Sequence, residues 1–234
     1  MRPLLLVLLA ALSSSLALGC SSQLGLGRAR TLDAGHTKIG AGFEADLLSA
    51  NRGEKTVVPL PWTQVNVGVH HGVTDGVELG VRAWGFTVPN ILTTWGVAAD
   101  AKLALRRPDP TQSRLNIATG ASFSYHQPRY GGNAYHLFSG TLPVLFGVSL
   151  GRHELVFGPR IADYVWTGYG QNTVNAFYFG SSLGFAAKVK QRFELFPEIV
   201  AMYSFTSFNG ETTDEHERQG VLLFQGGIGG SFEL

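Results

Sequence analysis

Apolar and polar residues alternate with a period of two along most of the chain after residue 36. In TKIGAGFEADL, for example, Ile39, Phe43 and Leu47 fall on one face of an extended chain, and Glu44 and Asp46 fall on the other. This period predicts β-strands with one apolar face, and no stretch of useful length shows a helical period. About ten such segments recur, and their average length is close to the roughly 9–11 residues that a tilted strand needs to cross a bilayer. They lie at 39–47, 64–70, 77–82, 96–105, 115–124, 142–150, 155–161, 177–190, 193–203 and 222–234.

The links between these segments alternate in length. Links at 72–76, 106–113, 151–153 and 190–192 are mostly short, and the intervening links near 49–61, 86–94, 127–135, 167–173 and 206–219 are mostly longer. Short turns on one rim and long loops on the other are typical of bacterial outer-membrane barrels. We therefore predict an all-β fold, a closed antiparallel up-and-down transmembrane β-barrel of about ten strands, with both termini on the periplasmic side.

Alternation alone does not say which face of a barrel meets water. Only 15% of the residues are charged, 30 are Gly, and the polar faces are crowded with Gly, Ala and Ser. The apolar faces are large and aromatic and would overfill an interior of this strand number, which favours a membrane barrel over a soluble periplasmic one. Several aromatic residues fall near predicted outer strand ends, where an interfacial girdle is expected. They are Trp62, Trp84, Trp95, Tyr125, Tyr135 and Tyr203.

The first residues indicate export. A basic Arg2, a short apolar run and small residues ending at Cys20 are typical of a secretory signal, with a retained membrane anchor as the alternative. The segment 16–20, LALGC, resembles the lipobox of bacterial lipoproteins, which implies a lipidated Cys20; an ordinary signal cut would leave a free thiol instead. We predict a signal peptide over 1–19, a periplasmic tether over 20–35 and the barrel over 36–234.

The end of the chain carries a second resemblance. The residues GGSFEL, with apolar residues at alternate positions back to Leu222, resemble the C-terminal signal strand of outer-membrane β-barrel proteins. That strand usually ends on Phe or Trp, whereas this chain ends on Leu234 with Phe232 two positions earlier. The resemblance covers about residues 36–234 and implies outer-membrane lipid and the barrel-insertion machinery as partners, but no activity.

The polar faces carry charges of both signs that we expect to point into the lumen, the interior of the barrel. Register places Arg82 near Asp100 on adjacent strands, and Lys188 near Glu194 across a tight hairpin. Buried charge needs a partner, so we expect ion pairs that fill the lumen; a selective channel or a site for a small solute or ion is the alternative. The net charge of +1 gives no indication of a nucleic-acid partner. The predicted lumen-facing charged residues are Glu78, Arg82, Asp100, Lys102, Arg160, Lys188, Glu194 and Glu198.

Catalytic and metal-binding patterns are weak. Ser122, Ser124 and His126 share one strand face, with Asp163 or Tyr164 at a similar height, but residues two apart on a strand lie roughly 7 Å apart. The chain does not reproduce the His-x-Ser-Asn pattern of lipid A deacylases or the acidic residues of omptin proteases. His70 and His71 point to opposite faces, and the acidic loop 210–218 lacks EF-hand spacing.

These patterns favour a non-enzymatic outer-membrane barrel with a structural, binding or narrow transport role, without cofactor or metal. The alternative is a small barrel hydrolase that acts on lipid A or peptides at the outer rim.

Overall fold

Ten long antiparallel strands make up the structure, a computed structural model that describes residues 27–52, 55–57, 62–88, 92–106, 114–130, 133–167, 173–207 and 218–234. The strands are β1 Thr37–Arg52, β2 Trp62–Thr74, β3 Val77–Val88, β4 Leu92–Arg106, β5 Leu115–Tyr130, β6 His136–Leu150, β7 His153–Thr167, β8 Thr173–Lys188, β9 Phe193–Ser207 and β10 Arg218–Glu233. Two short segments, Lys55–Val57 and Asn133–Ala134, pair with the ends of β1 and β5. Within the described ranges, no helix is long and apolar enough to cross a membrane.

The sheet closes on itself. Each strand pairs with its neighbours in the sequence, and β1 pairs with β10 from Lys38 opposite Glu233 to Ala50 opposite Val221. Closure leaves no long unpaired sheet edge. The predicted ten-stranded up-and-down barrel is therefore confirmed.

The outer face of the barrel is apolar. Residues that alternate along every strand leave large hydrophobic side chains exposed, including Phe123 at 63% and Val81 at 60%. A soluble barrel would bury this face, whereas a membrane barrel turns it toward lipid. On this face Tyr125 contacts both Trp95 and Phe138, with ring centroids 5.4 and 5.2 Å apart, as expected of an interfacial girdle.

Two rims bound the barrel. We call the rim at Thr37, Gly76, Gly151 and Glu233 the turn end, and the rim at Val88, Leu92, Thr167 and Thr173 the loop end. The strands are longer than the alternation alone predicted, because polar and aromatic residues at the loop end continue the ladders. The link predicted at 86–94, for instance, lies only between Val88 and Leu92.

One predicted girdle residue was placed on the wrong side. Trp84 is 4% exposed and points into the lumen, where its ring lies over Gly96 and edge-on to His126. The reason is the alternation of the strand: Trp84 lies two residues after the inward-facing Arg82, and residues two apart on a strand share a face. The side chain of Trp62 lies outside the described residues.

Candidate functional site: the barrel lumen

Residues 27–35, which we call the plug, enter the lumen at the turn end. Ala29 is 1% exposed and packs among inward side chains of four strands. Lys102 Nζ donates to the Arg28 carbonyl oxygen at 3.1 Å, and the Leu32 amide donates to Glu78 Oε2 at 2.9 Å. The Arg28 side chain pairs with Glu194. The described part of the predicted tether is thus bound to the barrel wall; its predicted boundaries stay predictions. The four partners of Ala29 are Leu145, Val156, Ala186 and Phe196.

Two wall glycines make room for the plug. A Cβ added at Gly72 would lie 2.2 Å from the Asp33 carbonyl oxygen, and one at Gly147 would lie 2.7 Å from the Ala29 Cβ and 1.9 Å from Glu154 Oε1. The Gly35 amide also donates to the Gly72 carbonyl oxygen at 2.8 Å. The wall is therefore shaped for this segment at two separate strands, β2 and β6.

Glu78 is the central hydrogen-bond acceptor in the lumen near the turn end. It is 2% exposed, and its Oε1 lies 3.0 Å from Lys102 Nζ and 3.2 Å from His70 Nδ1. With the Leu32 amide on the other oxygen, this carboxylate binds two strands and the plug at once. His71 is exposed instead and hydrogen-bonds Thr37 at 2.9 Å, so the two adjacent histidines point to opposite faces as the sequence predicts.

Two further ion pairs lie inside the lumen, beyond the plug. Arg82 donates from Nε to Asp100 Oδ2 at 2.6 Å and from Nη2 to Asp100 Oδ1 at 2.9 Å, the two-point geometry in which arginine binds carboxylates best. Arg160 pairs with Glu198, and their side chains are 3% and 4% exposed. Such buried pairs contribute little net stability but are costly to break singly, because the orphaned charge keeps its desolvation penalty.

The sequence-predicted charges are thus brought together mostly as expected, with one change of partner. Lys188 and Glu194 are opposite each other in register, but Glu194 pairs with Arg28 of the plug. Lys188 instead lines a cavity at the turn end. Glu154 was not predicted; it is 1% exposed and accepts from Asn116 Nδ2 at 3.0 Å. The sequence could have predicted its inward position, because Glu154 lies two residues before Val156 and shares its face on an alternating strand.

A small cavity separates the plug from the mid-barrel pairs. Its volume is about 80 Å³, and Arg28, Glu78, Lys102, Arg82 and Arg160 are among the side chains that line it. Water occupies about 30 Å³ per molecule in the liquid, so this space holds two or three waters.

The lumen near the loop end differs from the lumen near the turn end, because one of its walls is apolar. Side chains of β6 to β10 there form a packed cluster that excludes water on the inside of the barrel. Alternation with an outward apolar face did not predict it. Its members are Leu137, Ala162, Tyr164, Tyr178, Val200, Met202, Val221 and Leu223.

The opposite wall at the loop end is polar and holds the candidate catalytic residues. Ser124 Oγ hydrogen-bonds Ser139 Oγ at 2.7 Å, and His126 Nε2 hydrogen-bonds Thr94 Oγ1. Asp163 is exposed on the outer face of β7, whereas Tyr164 is buried on the inner face. These residues therefore do not assemble a Ser–His–acid arrangement. In the part of the chain that the structure describes, no group of three or more His, Cys, Asp or Glu residues is placed to hold a metal ion.

No family model and no curated protein matches the chain. Among solved structures, the outer membrane protease OmpT from Escherichia coli matches with 11% identity and a TM-score of 0.48, covering 88% of this chain and 100% of that chain. The outer membrane protein OprG from Pseudomonas aeruginosa matches with 13% identity and a TM-score of 0.41, covering 88% and 98%. The translocator domain of the autotransporter NalP from Neisseria meningitidis matches with 11% identity and a TM-score of 0.41, covering 85% and 88%. Identities this low say nothing about activity or ligand; the fold follows from this chain's own closed register and apolar exterior.

Proposed function

We propose that this chain is a non-enzymatic outer-membrane β-barrel with a structural or binding role, and that its lumen is closed to diffusing solutes. The observation that carries the proposal is that the lumen is occupied at successive levels. The plug fills the turn end, and the Arg82–Asp100 and Arg160–Glu198 pairs lie further in. A diffusion channel keeps a continuous water-filled path, whereas the cavity between these levels is about 80 Å³.

The apolar exterior and the strand length support location in an outer membrane, since closed barrels and helices are the structures that satisfy backbone polar groups in lipid. We propose that the turn end faces the periplasm and that a lipid on Cys20 adds a second anchor in the inner leaflet. The lipobox-like sequence supports the lipid; Cys20 lies outside the described residues. Assembly by the barrel-insertion machinery is expected from the C-terminal strand.

A hydrolase at the loop end is the weaker alternative. Its candidate nucleophile and base are hydrogen-bonded to other residues, and the candidate acid Asp163 lies on the outer face. Cleavage of lipid A or a peptide by the folded protein, abolished in Ser124→Ala or His126→Ala, would favour the hydrolase over the proposed role.

Planar-bilayer recording tests closure of the lumen. We expect the folded wild-type protein to give no stable ohmic steps, while a porin in the same bilayers shows that insertion is detected. A matched variant lacks residues 21–33 and carries Arg160→Ser with Glu198→Ser, so both partners of the pair are removed and no charge is orphaned. Heat-modifiable gel migration like that of the wild type shows that this variant folds. The folded variant is expected to give small conductance steps. Steps of stable size from the wild-type protein would instead establish a narrow channel.

A further inference from the structure

A second cavity, of about 200 Å³, lies at the turn end between the plug and the barrel wall. The wall side comes from the start of β1, the β8–β9 turn and the end of β10. The exposed Gln191 and Arg192 on that turn place its opening at the solvent side of the rim. The space equals that of about six or seven waters at about 30 Å³ each.

Five cationic and three anionic side chains line this cavity, and the anionic ones are already engaged. Glu194 pairs with Arg28, Asp33 lies 3.4 Å from Arg30, and Glu233 lies 2.8 Å from His36. Lys38, Lys188 and Arg192 remain. Among the described residues, none of these three makes a side-chain hydrogen bond or ion pair.

Three cations that share one concave space repel one another and create a positive potential at its mouth. A bound anion would relieve that repulsion. Two ammonium groups and a guanidinium give more positive charge than a single carboxylate needs. They suit a phosphate group, with its one or two negative charges and several acceptor oxygens. The Ser231 hydroxyl in the same lining is a further donor. The volume admits a phosphate with a few retained waters.

We propose that the turn-end cavity binds a phosphate group held by Lys38, Lys188 and Arg192. The phosphate belongs either to a small soluble molecule at that rim or to an anionic lipid headgroup of the adjacent leaflet. The site goes beyond the proposed role of the barrel and does not depend on whether the lumen conducts.

Titration calorimetry with inorganic phosphate tests the soluble source. The folded full chain in a zwitterionic detergent and a phosphate-free buffer is expected to bind saturably. The variant Lys38→Gln with Lys188→Gln should bind at least about tenfold more weakly, since each charge-assisted hydrogen bond is worth that factor or more. The matched control is Lys190→Gln, which removes the same charge from the same turn but does not line the cavity; its affinity should stay unchanged. Lys188→Arg should restore binding by keeping the charge.

Native mass spectrometry tests the lipid source with phosphatidylglycerol and phosphatidylcholine added separately. The site belongs to a lipid headgroup if phosphatidylglycerol forms an adduct that the double variant loses and Lys190→Gln keeps. It belongs to a soluble molecule if inorganic phosphate binds saturably with the same pattern among the variants. The proposal is overturned if neither ligand binds, if the folded double variant binds as well as the wild type, or if Lys190→Gln weakens binding equally.

Discussion

The lumen is filled by different kinds of interaction near its two ends, polar contacts at the turn end and apolar packing on one wall at the loop end. Near the turn end, the wall residues Glu78, Lys102 and Glu194 hold the plug through hydrogen bonds and an ion pair. Near the loop end, Val200 and Leu223, both 0% exposed, pack on one wall as they would in a soluble core. A membrane barrel can therefore have one wall that is apolar on both faces near one end while it keeps a paired polar interior near the other.

Breaking one mid-barrel pair is expected to have the largest effect. Arg160→Met removes the ion-pair partner of the buried Glu198 carboxylate, which costs about 3–5 kcal/mol of the free energy of unfolding. Equilibrium unfolding in urea, followed by tryptophan fluorescence in lipid vesicles, measures it. Because the double variant Arg160→Met with Glu198→Leu orphans no charge, it should recover most of the loss. A double variant as unstable as the single one would contradict this account.

A deletion in the apolar cluster is expected to cost somewhat less. Leu223→Ala removes a fully buried side chain near the loop end and should cost about 2–4 kcal/mol in the same unfolding assay. The cost should not change with salt, because apolar burial is not screened. The control is Leu222→Ala, next along β10 but 45% exposed on the outer face, which should lose clearly less. Equal losses at both positions would mean that the inner wall is not a packed core.

The smallest expected effect is local release of the plug. Gly147→Ala puts a Cβ against Glu154 and Ala29, so the amides of residues 28–35 should exchange with deuterium about tenfold faster or more, equivalent to about 1.4 kcal/mol of lost local protection. Hydrogen-exchange mass spectrometry measures it, with the strands as an internal reference. Gly140→Ala on the same strand has nothing within 4 Å of its added Cβ and should leave the plug unchanged. Unchanged exchange in Gly147→Ala would show that the plug does not press on β6.

Parts of this difference were readable from the sequence. The outward faces follow from strict alternation, and the Arg82–Asp100 pair follows from register on adjacent strands. The apolar inner wall left a trace in the continuous runs IVAMY at 199–203 and VLLF at 221–224, which are typical of strands buried on both faces. The alternation assigned only the outward members of these runs, so the inward positions of Val200 and Met202 were not predicted.

The plug was not predictable by the same reasoning. Residues 27–35 lie in a Gly-rich stretch without period, so no pattern assigns them to a strand or a face. Their main ionic partner, Glu194, is 166 positions away from Arg28. Closure of the barrel pairs β1 with β10 and β10 with β9, and this brings Glu194 within reach of the segment before β1. Periodicity carries no information about such a contact.

This separation in sequence also sets an order of events during biogenesis. The plug needs Gly72, Gly147 and Glu194, which are supplied by the second, sixth and ninth strands. Contacts this distant form late, because the intervening chain must be ordered first. A freshly inserted barrel would therefore have an unfilled turn end for a short time. During that time the Arg82–Asp100 and Arg160–Glu198 pairs and the apolar cluster alone close the lumen, until the N-terminal segment docks.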